Sequence, residues 1–124
     1  MSIRGMHPLR GEIRWVRLDP IVGSEIAKTR PCIVVTNDLL NERRRTVVVV
    51  PISSGQRPIP NLGILVDCGA VSGVAVIDQV RAAAKERLAS RARRLAADDM
   101  KAIEAGLRQV LGMSDSRRHR VFGQ

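Results

Sequence analysis

The chain has 124 residues with 44% hydrophobic content, enough for one compact domain with its own core and too short for two that would each stand unaided. It carries a formal charge of +9 and a pI near 11.3, and all but three of its 21 basic residues, Lys28, Lys85 and Lys101, are arginines. Guanidinium forks match phosphate oxygens, so the surplus points to a polyanionic partner, nucleic acid before membrane; no apolar run approaches the ~20 residues of a transmembrane helix.

In chain order, residues 1–8 read as a leader, and "EIRWVRLDP" alternates as a first strand with Ile13 and Trp15 on one face, which makes Trp15 a core residue by pattern. The stretch Asp19–Arg30 holds Pro20, Gly23 and Ser24 without sustained period and reads as a long connection. "CIVVT" is a central strand, followed by "NDLLNERRR", where Asn37 or Asp38 caps a short helical turn and Arg43–Arg45 make a solvated turn. "TVVVVP" is an apolar β-branched strand that needs burial on both faces or a tightly curled sheet. "ISSGQRPIPN" reads as a second long loop and "LGILVD" as a fourth strand, with Gly63 marking a bulge.

"GVAVIDQVRAA" supplies a fifth and a sixth strand, interrupted by Asp78 and Gln79. "KERLASRARRLA" turns near Lys85–Leu88 and supports one further short strand. From Ala97 to Leu111 the period becomes helical: Met100, Ile103, Leu107, Val110 and Leu111 share a face, Asp98 and Asp99 suit the positive N-terminal end, and Gly112 stops the helix. Residues 113–124 form a basic tail expected to be disordered. Many short strands, long loops and one C-terminal helix describe a small, curled antiparallel barrel with a helix packed on it.

Cysteines are limited to Cys32 and Cys68, without CxxC spacing or a recognisable signal segment, so reduced cytoplasmic thiols are expected; Cys32 lies in an apolar run and reads as a small core residue. Metal ligation by these and by His7 and His119 is not expected.

Five blocks occur in one order: G-E-I at Gly11–Ile13, D-P…G-S-E at Asp19–Glu25, K-T-R-P at Lys28–Pro31, P-I-S-S at Pro51–Ser54 and D-Q-V-R at Asp78–Arg81. Together, across Leu9 to Leu111, they resemble the MazF/PemK/Kid family of toxin endoribonucleases. The resemblance implies a single toxin domain over residues 9–112, an SH3-like barrel with a C-terminal helix, and a homodimer. It also implies metal-independent, sequence-selective cleavage of single-stranded RNA without a cofactor, and a MazE-like antitoxin whose acidic, largely unstructured tail occupies the RNA groove.

Metal-free RNA cleavage uses the substrate's own 2′-hydroxyl as nucleophile and leaves a 2′,3′-cyclic phosphate. His7 and His119 lie in the leader and the tail, which argues against a two-histidine mechanism. Arg30 is the candidate for stabilising charge on the phosphorane, with Pro31 restricting it to extended backbone; the alternative is an arginine capping a strand end by pairing with Glu25 or Asp19. Ser53 matches the family's catalytic threonine, and Ser54 is the neighbouring alternative; "SSG" is also ordinary turn chemistry. Asp78 and Gln79 orient Arg30, contact the base or the 2′-hydroxyl, or satisfy buried polar partners. Kid-like members pair an aspartate at this place with an arginine and a histidine, where this chain has Val76 and Ser24, so the MazF-like arrangement of arginine plus hydroxyl is favoured. Glu25 is a base or a loop anchor, and Lys28, Arg57, Gln79 and Arg81 are the RNA-binding candidates, with Arg87 behind them. With so few aromatic residues, Trp15, arginine planes and loop backbone must hold the bases. Two other functions of the same fold compete: a CcdB-like gyrase poison and an RNA-binding module that does not cut.

Overall fold

A computed structural model describes residues 7–18, 29–55, 62–68 and 71–114. They form β1 (Glu12–Arg17), β2 (Thr29–Val34), α1 (Asp38–Arg43), β3 (Thr46–Ser53), β4 (Gly63–Cys68), β5 (Val71–Val76), β6 (Arg81–Ala84), β7 (Leu88–Arg94) and α2 (Ala97–Leu111). Among the described residues the strand pairings are antiparallel, in the order β4-β5-β3-β2-β1-β7, with β6 on β3. The sheet curls into a half-barrel, and the C-terminal helix packs against it, as the strand and helix patterns predict.

Both faces of the central strands are buried, which is why they are runs of β-branched residues rather than alternating ones. Ile13, Ile33, Val50 and Ile52 join Met100 and Ile103 of α2 in one cluster. Val16, Cys32, Val34, Val47 and Val49 form a second on the other face. Strand β3 is the hub. Its outer edge pairs with β6 through Val49 and with β5 from Ile52, so Val50 and Pro51 fall between partners, where a residue lacking N–H costs no ladder bond on that side.

Helix α2 has the predicted limits. Gly112 takes φ 70° and donates to the Gln109 carbonyl at 3.2 Å, while the Met113 N–H reaches the Arg108 carbonyl at 2.8 Å, a paired C-terminal cap that a glycine permits. Met100 and Ile103 are buried, but Leu111 is 58% exposed: one residue on from Val110, the helix has already turned it away from the sheet. At α1 the cap is Asn37, whose side chain accepts from the Leu40 N–H at 3.0 Å.

The block Gly11–Ile13 is scaffold. Gly11 has φ 92°, accessible to glycine; its N–H donates to Val34 and its carbonyl accepts from Leu95, at 2.8 and 2.7 Å, tying β1 to β2 and to the entry of α2. The buried Glu12 carboxylate accepts from the Leu9 N–H at 3.1 Å and from Arg14 at 2.9 Å.

Three local expectations change. Trp15 does share the alternation of Ile13, yet it is 36% exposed. Ile52 and Ser53 are the last residues of β3 rather than the start of a loop, held there by pairing with Ala75 and Val74. No bulge occurs at Gly63, since the β4–β5 register runs unbroken from Gly63–Val76 to Cys68–Val71.

Cys32 is a core thiol, as predicted. Burial pushes its pKa from 9.0 up to about 12, against a smaller lowering by the Arg81 guanidinium. At pH 8 the thiolate, the reactive species, is therefore suppressed in the folded chain. Peptide-level mass spectrometry after iodoacetamide treatment is expected to find Cys32 unmodified in native protein and modified in denaturant. The folded pKa lies above the unfolded one, so this group's stabilisation is complete below pH 9 and is lost as pH rises towards 12.

Candidate functional site

Two cavities open near the C-terminal end of β3. The first, about 180 Å³, is bordered by Trp15, Thr29, Arg30, Pro31, Ile52, Ser54 and Ser72. Trp15 pairs directly with Pro31, just as Ile13 pairs with Ile33 two positions back. The apolar face that is core at Ile13 and Ile33 thus continues to a rim at Trp15 and Pro31, and an indole on that rim is wetted. The second cavity, about 440 Å³, is bordered by Leu18, Pro51 and the segment Asp78–Ala82. Arg81 donates from its guanidinium to the Leu18 carbonyl at 3.3 Å, pinning its planar head beside that cavity.

Arg30 is the second residue of β2 and is half-buried. Strand alternation puts it on the face of Cys32 and Val34, the face of the second cluster, while it also borders the first cavity. The paired β2–β3 register ends at Cys32–Pro51. Continued by two residues, it sets Arg30 across from Ser53, and in an antiparallel pair such opposed residues lie on the same face.

Ser53 is 9% exposed, and its Oγ accepts the Gly55 N–H at 3.3 Å. That bond occupies a lone pair and leaves the hydroxyl proton available as a donor. Turn chemistry and a functional hydroxyl are therefore compatible at this serine. Ser54 is exposed and borders the first cavity. Gly73, on β5, approaches the same turn: its φ is +154°, and a Cβ there would lie 2.8 Å from the Ser53 carbonyl oxygen.

The polar interruption at Asp78 and Gln79 is a 3-10 turn, Ile77–Gln79, that carries the chain from β5 at one end of β3 to β6 at the other. Ile77 anchors it in the core, while Asp78 is exposed and, with Gln79 and Arg81, borders the second cavity. Asp78 and Arg30 border different cavities. Arg87, half-buried, donates to the Arg17 carbonyl at 3.2 Å on the same side as the Arg81–Leu18 bond. Glu25, Lys28 and Arg57 lie outside the described residues, as do most of the two long loops that carry them. Thr29 and Ser72 are not singled out by sequence as site residues; Thr29 lies within the K-T-R-P block, whereas nothing local marks Ser72. Among the described residues, no three of His, Cys, Asp and Glu come together in a metal-binding group.

Comparison with known proteins identifies the family. Residues 9–111 match the family described as PemK-like, MazF-like toxin of type II toxin-antitoxin system. Endoribonuclease MazF9 of Mycobacterium tuberculosis is 33% identical over 118 residues, covering 84% of this chain and 96% of that protein. Endoribonuclease toxin MazF of Escherichia coli K12 is 28% identical over 106 residues, covering 85% and 95%. Among solved structures, MazF from Deinococcus radiodurans superimposes with a TM-score of 0.78 at 24% identity, covering 86% of this chain and 98% of that one. A mycobacterial endoribonuclease solved in complex with its cognate antitoxin gives 0.74 at 22%, covering 87% and 98%. With the motif blocks, the curled sheet and the family match in agreement, the chain belongs to the PemK-like, MazF-like toxin family of type II toxin-antitoxin systems.

Proposed function

We propose that this chain is the toxin of a type II toxin-antitoxin pair and arrests growth by cutting single-stranded mRNA in the cytoplasm. The cut is sequence-selective and uses no metal or cofactor. The observation that supports this best is the position of Arg30 on β2 at the first cavity, with Ser53 across from it when the β2–β3 register is continued, in a chain whose relatives are named endoribonucleases.

In this reaction the substrate 2′-oxygen forms a bond to phosphorus, the bond to the 5′-oxygen breaks, and the products are a 2′,3′-cyclic phosphate and a 5′-hydroxyl. The phosphorane carries extra negative charge on its non-bridging oxygens. Arg30 stabilises that charge by presenting its guanidinium fork to the non-bridging oxygens rather than by carrying a proton. Ser53 donates its hydroxyl proton to one of the same oxygens, with Ser54 as a second donor from the first cavity. Glu25 or Asp78 accepts the 2′-hydroxyl proton, and solvent water supplies the proton that the leaving 5′-oxygen takes up. Trp15 stacks on a base beside the scissile phosphate, which accounts for an exposed indole in a chain with a single other aromatic residue. Lys28, Arg57, Gln79 and Arg81 hold the flanking nucleotides.

The chain acts as a homodimer, and a MazE-like antitoxin inhibits it by laying an acidic segment over the same basic surface. The gyrase-poison reading has no comparable support, since the relatives carry endoribonuclease names.

The test is incubation of the purified chain with a long RNA in EDTA, with the cut ends mapped. Cuts at one short recurring sequence, with cyclic phosphate ends and no cleavage of the 2′-deoxy analogue, are expected. Loss of activity in EDTA, or cutting of the deoxy analogue, would overturn the mechanism.

A further inference from the structure

The arginines Arg43, Arg44 and Arg45 take no part in the site described above, yet they do not dangle. Arg43 ends α1 and Arg44 and Arg45 lead into β3, all three exposed, and the turn after β6 is bonded to this segment: the Lys85 N–H donates to the Arg45 carbonyl at 2.9 Å, and Lys85 Nζ reaches the Glu42 carbonyl at 3.5 Å. Between the two turns is a cleft of about 480 Å³ walled by these four cations and two carboxylates, Glu42 and Glu86.

Strand β6 joins this cleft to the site. It begins at Arg81, on the second cavity, and continues as Ala82, Ala83 and Ala84 to Lys85. Its one partner among the described residues is β3, so its outer edge is unpaired there, and three alanines put no bulk along it. From Arg81 to Lys85 is about 13 Å at ~3.3 Å per strand residue. That is the span of a short run of single-stranded RNA backbone.

We propose that this cleft is a second phosphate-binding surface, which holds the substrate RNA a few nucleotides away from the cut and leads it along the edge of β6. The inference rests on the nuclease reading. A polyphosphate strand engaged at Arg30 must leave the site, and the edge of β6, with only alanines between Arg81 and Lys85, runs from the arginine-bordered second cavity to this cleft. Three adjacent guanidinium forks suit successive phosphates. Their charge is set against only the two cleft carboxylates and Asp78 at the far end of the path.

The experiment measures fluorescence anisotropy in an Arg30→Ala background, so that RNA stays intact. One probe covers the mapped cleavage sequence alone, and the other extends it by about ten nucleotides on each side. Replacing Arg43, Arg44 and Arg45 together by glutamine is expected to weaken binding of the extended RNA about tenfold and leave the short one unchanged. The slope of log affinity against log salt for the extended RNA should fall by about 2, at ~0.7 per lost phosphate contact on a single strand. Lys85→Gln alone should move the same readouts in the same direction by less. Equal weakening of both probes, or an unaltered salt slope, would overturn the proposal. So would a loss confined to an acidic peptide probe, which would assign the cleft to a protein partner. Failure of the wild-type chain to cut RNA would sink the nuclease reading instead, and the length dependence of binding would still be legible.

Discussion

Arg30→Ala is expected to lower RNA cleavage by about 10²–10³ while leaving the melting temperature close to that of the parent. The size follows from the role: removing one donor aimed at developing oxyanion charge costs ~2.7–4 kcal/mol in other enzymes. Arg30 is half-buried, fixed in β2 ahead of Pro31, and a member of neither apolar core cluster, so its loss leaves no cavity in the fold. Arg30→Lys keeps the charge but not the planar fork, and should recover only part of the rate. Growth arrest on induction should disappear with Arg30→Ala in proportion to the lost cleavage. The competing assignment, a strand-end ion pair, predicts the reverse: a lowered melting temperature with cleavage within a few-fold of the parent. Growth arrest that persists with intact RNA would exclude the nuclease reading altogether.

Much of this architecture was legible because it is periodic. The valines of β3, the Met100–Ile103–Leu107–Val110 stripe of α2 and the cap at Asn37 are local signals, and each is where the residues predict it. What escaped was set by distant partners. "ISSG" has the composition of a turn, and only pairing of Ile52 and Ser53 with β5, more than twenty residues later, keeps both in the strand. Trp15 obeys the alternation that made it a core residue, but alternation says which face a residue shares and not where the cover on that face ends. At Trp15 the face has become a cavity rim. The two glycines were exchanged for a similar reason. Gly63 lies in regular register, whereas Gly73, inconspicuous in "VSGVAV", is where a side chain would strike the Ser53 carbonyl. For the site, the motif blocks single out Arg30, Ser53 and Asp78–Arg81, which lie on or beside β3, but sequence spacing does not reveal that Asp78 borders a different cavity from Ser54.

The division between the two serines leads to the second large effect. Ser53→Ala is expected to reduce cleavage by about 10², and Ser54→Ala by no more than about threefold, measured on the same RNA at saturating substrate. Ser53 lies across from Arg30 in the continued β2–β3 register, and its Oγ is oriented by the Gly55 N–H at 3.3 Å, which leaves its own proton to donate. Ser54 has one more degree of freedom, being exposed beyond the end of the strand. Ser53→Thr restores a hydroxyl with a stiffer rotamer and should retain activity, which separates loss of the donor from loss of the turn. Gly73→Ala tests the same point from the opposite strand. Its Cβ would lie 2.8 Å from the Ser53 carbonyl, and backbone on both sides can yield only by displacing Ser53. The variant should therefore lose kcat with little change in KM, together with some stability, although residue 73 carries no reactive group. A larger loss for Ser54→Ala than for Ser53→Ala would transfer the donor role to the first cavity. Gly73 would then matter to stability alone, and kcat in Gly73→Ala would stay near the parent value.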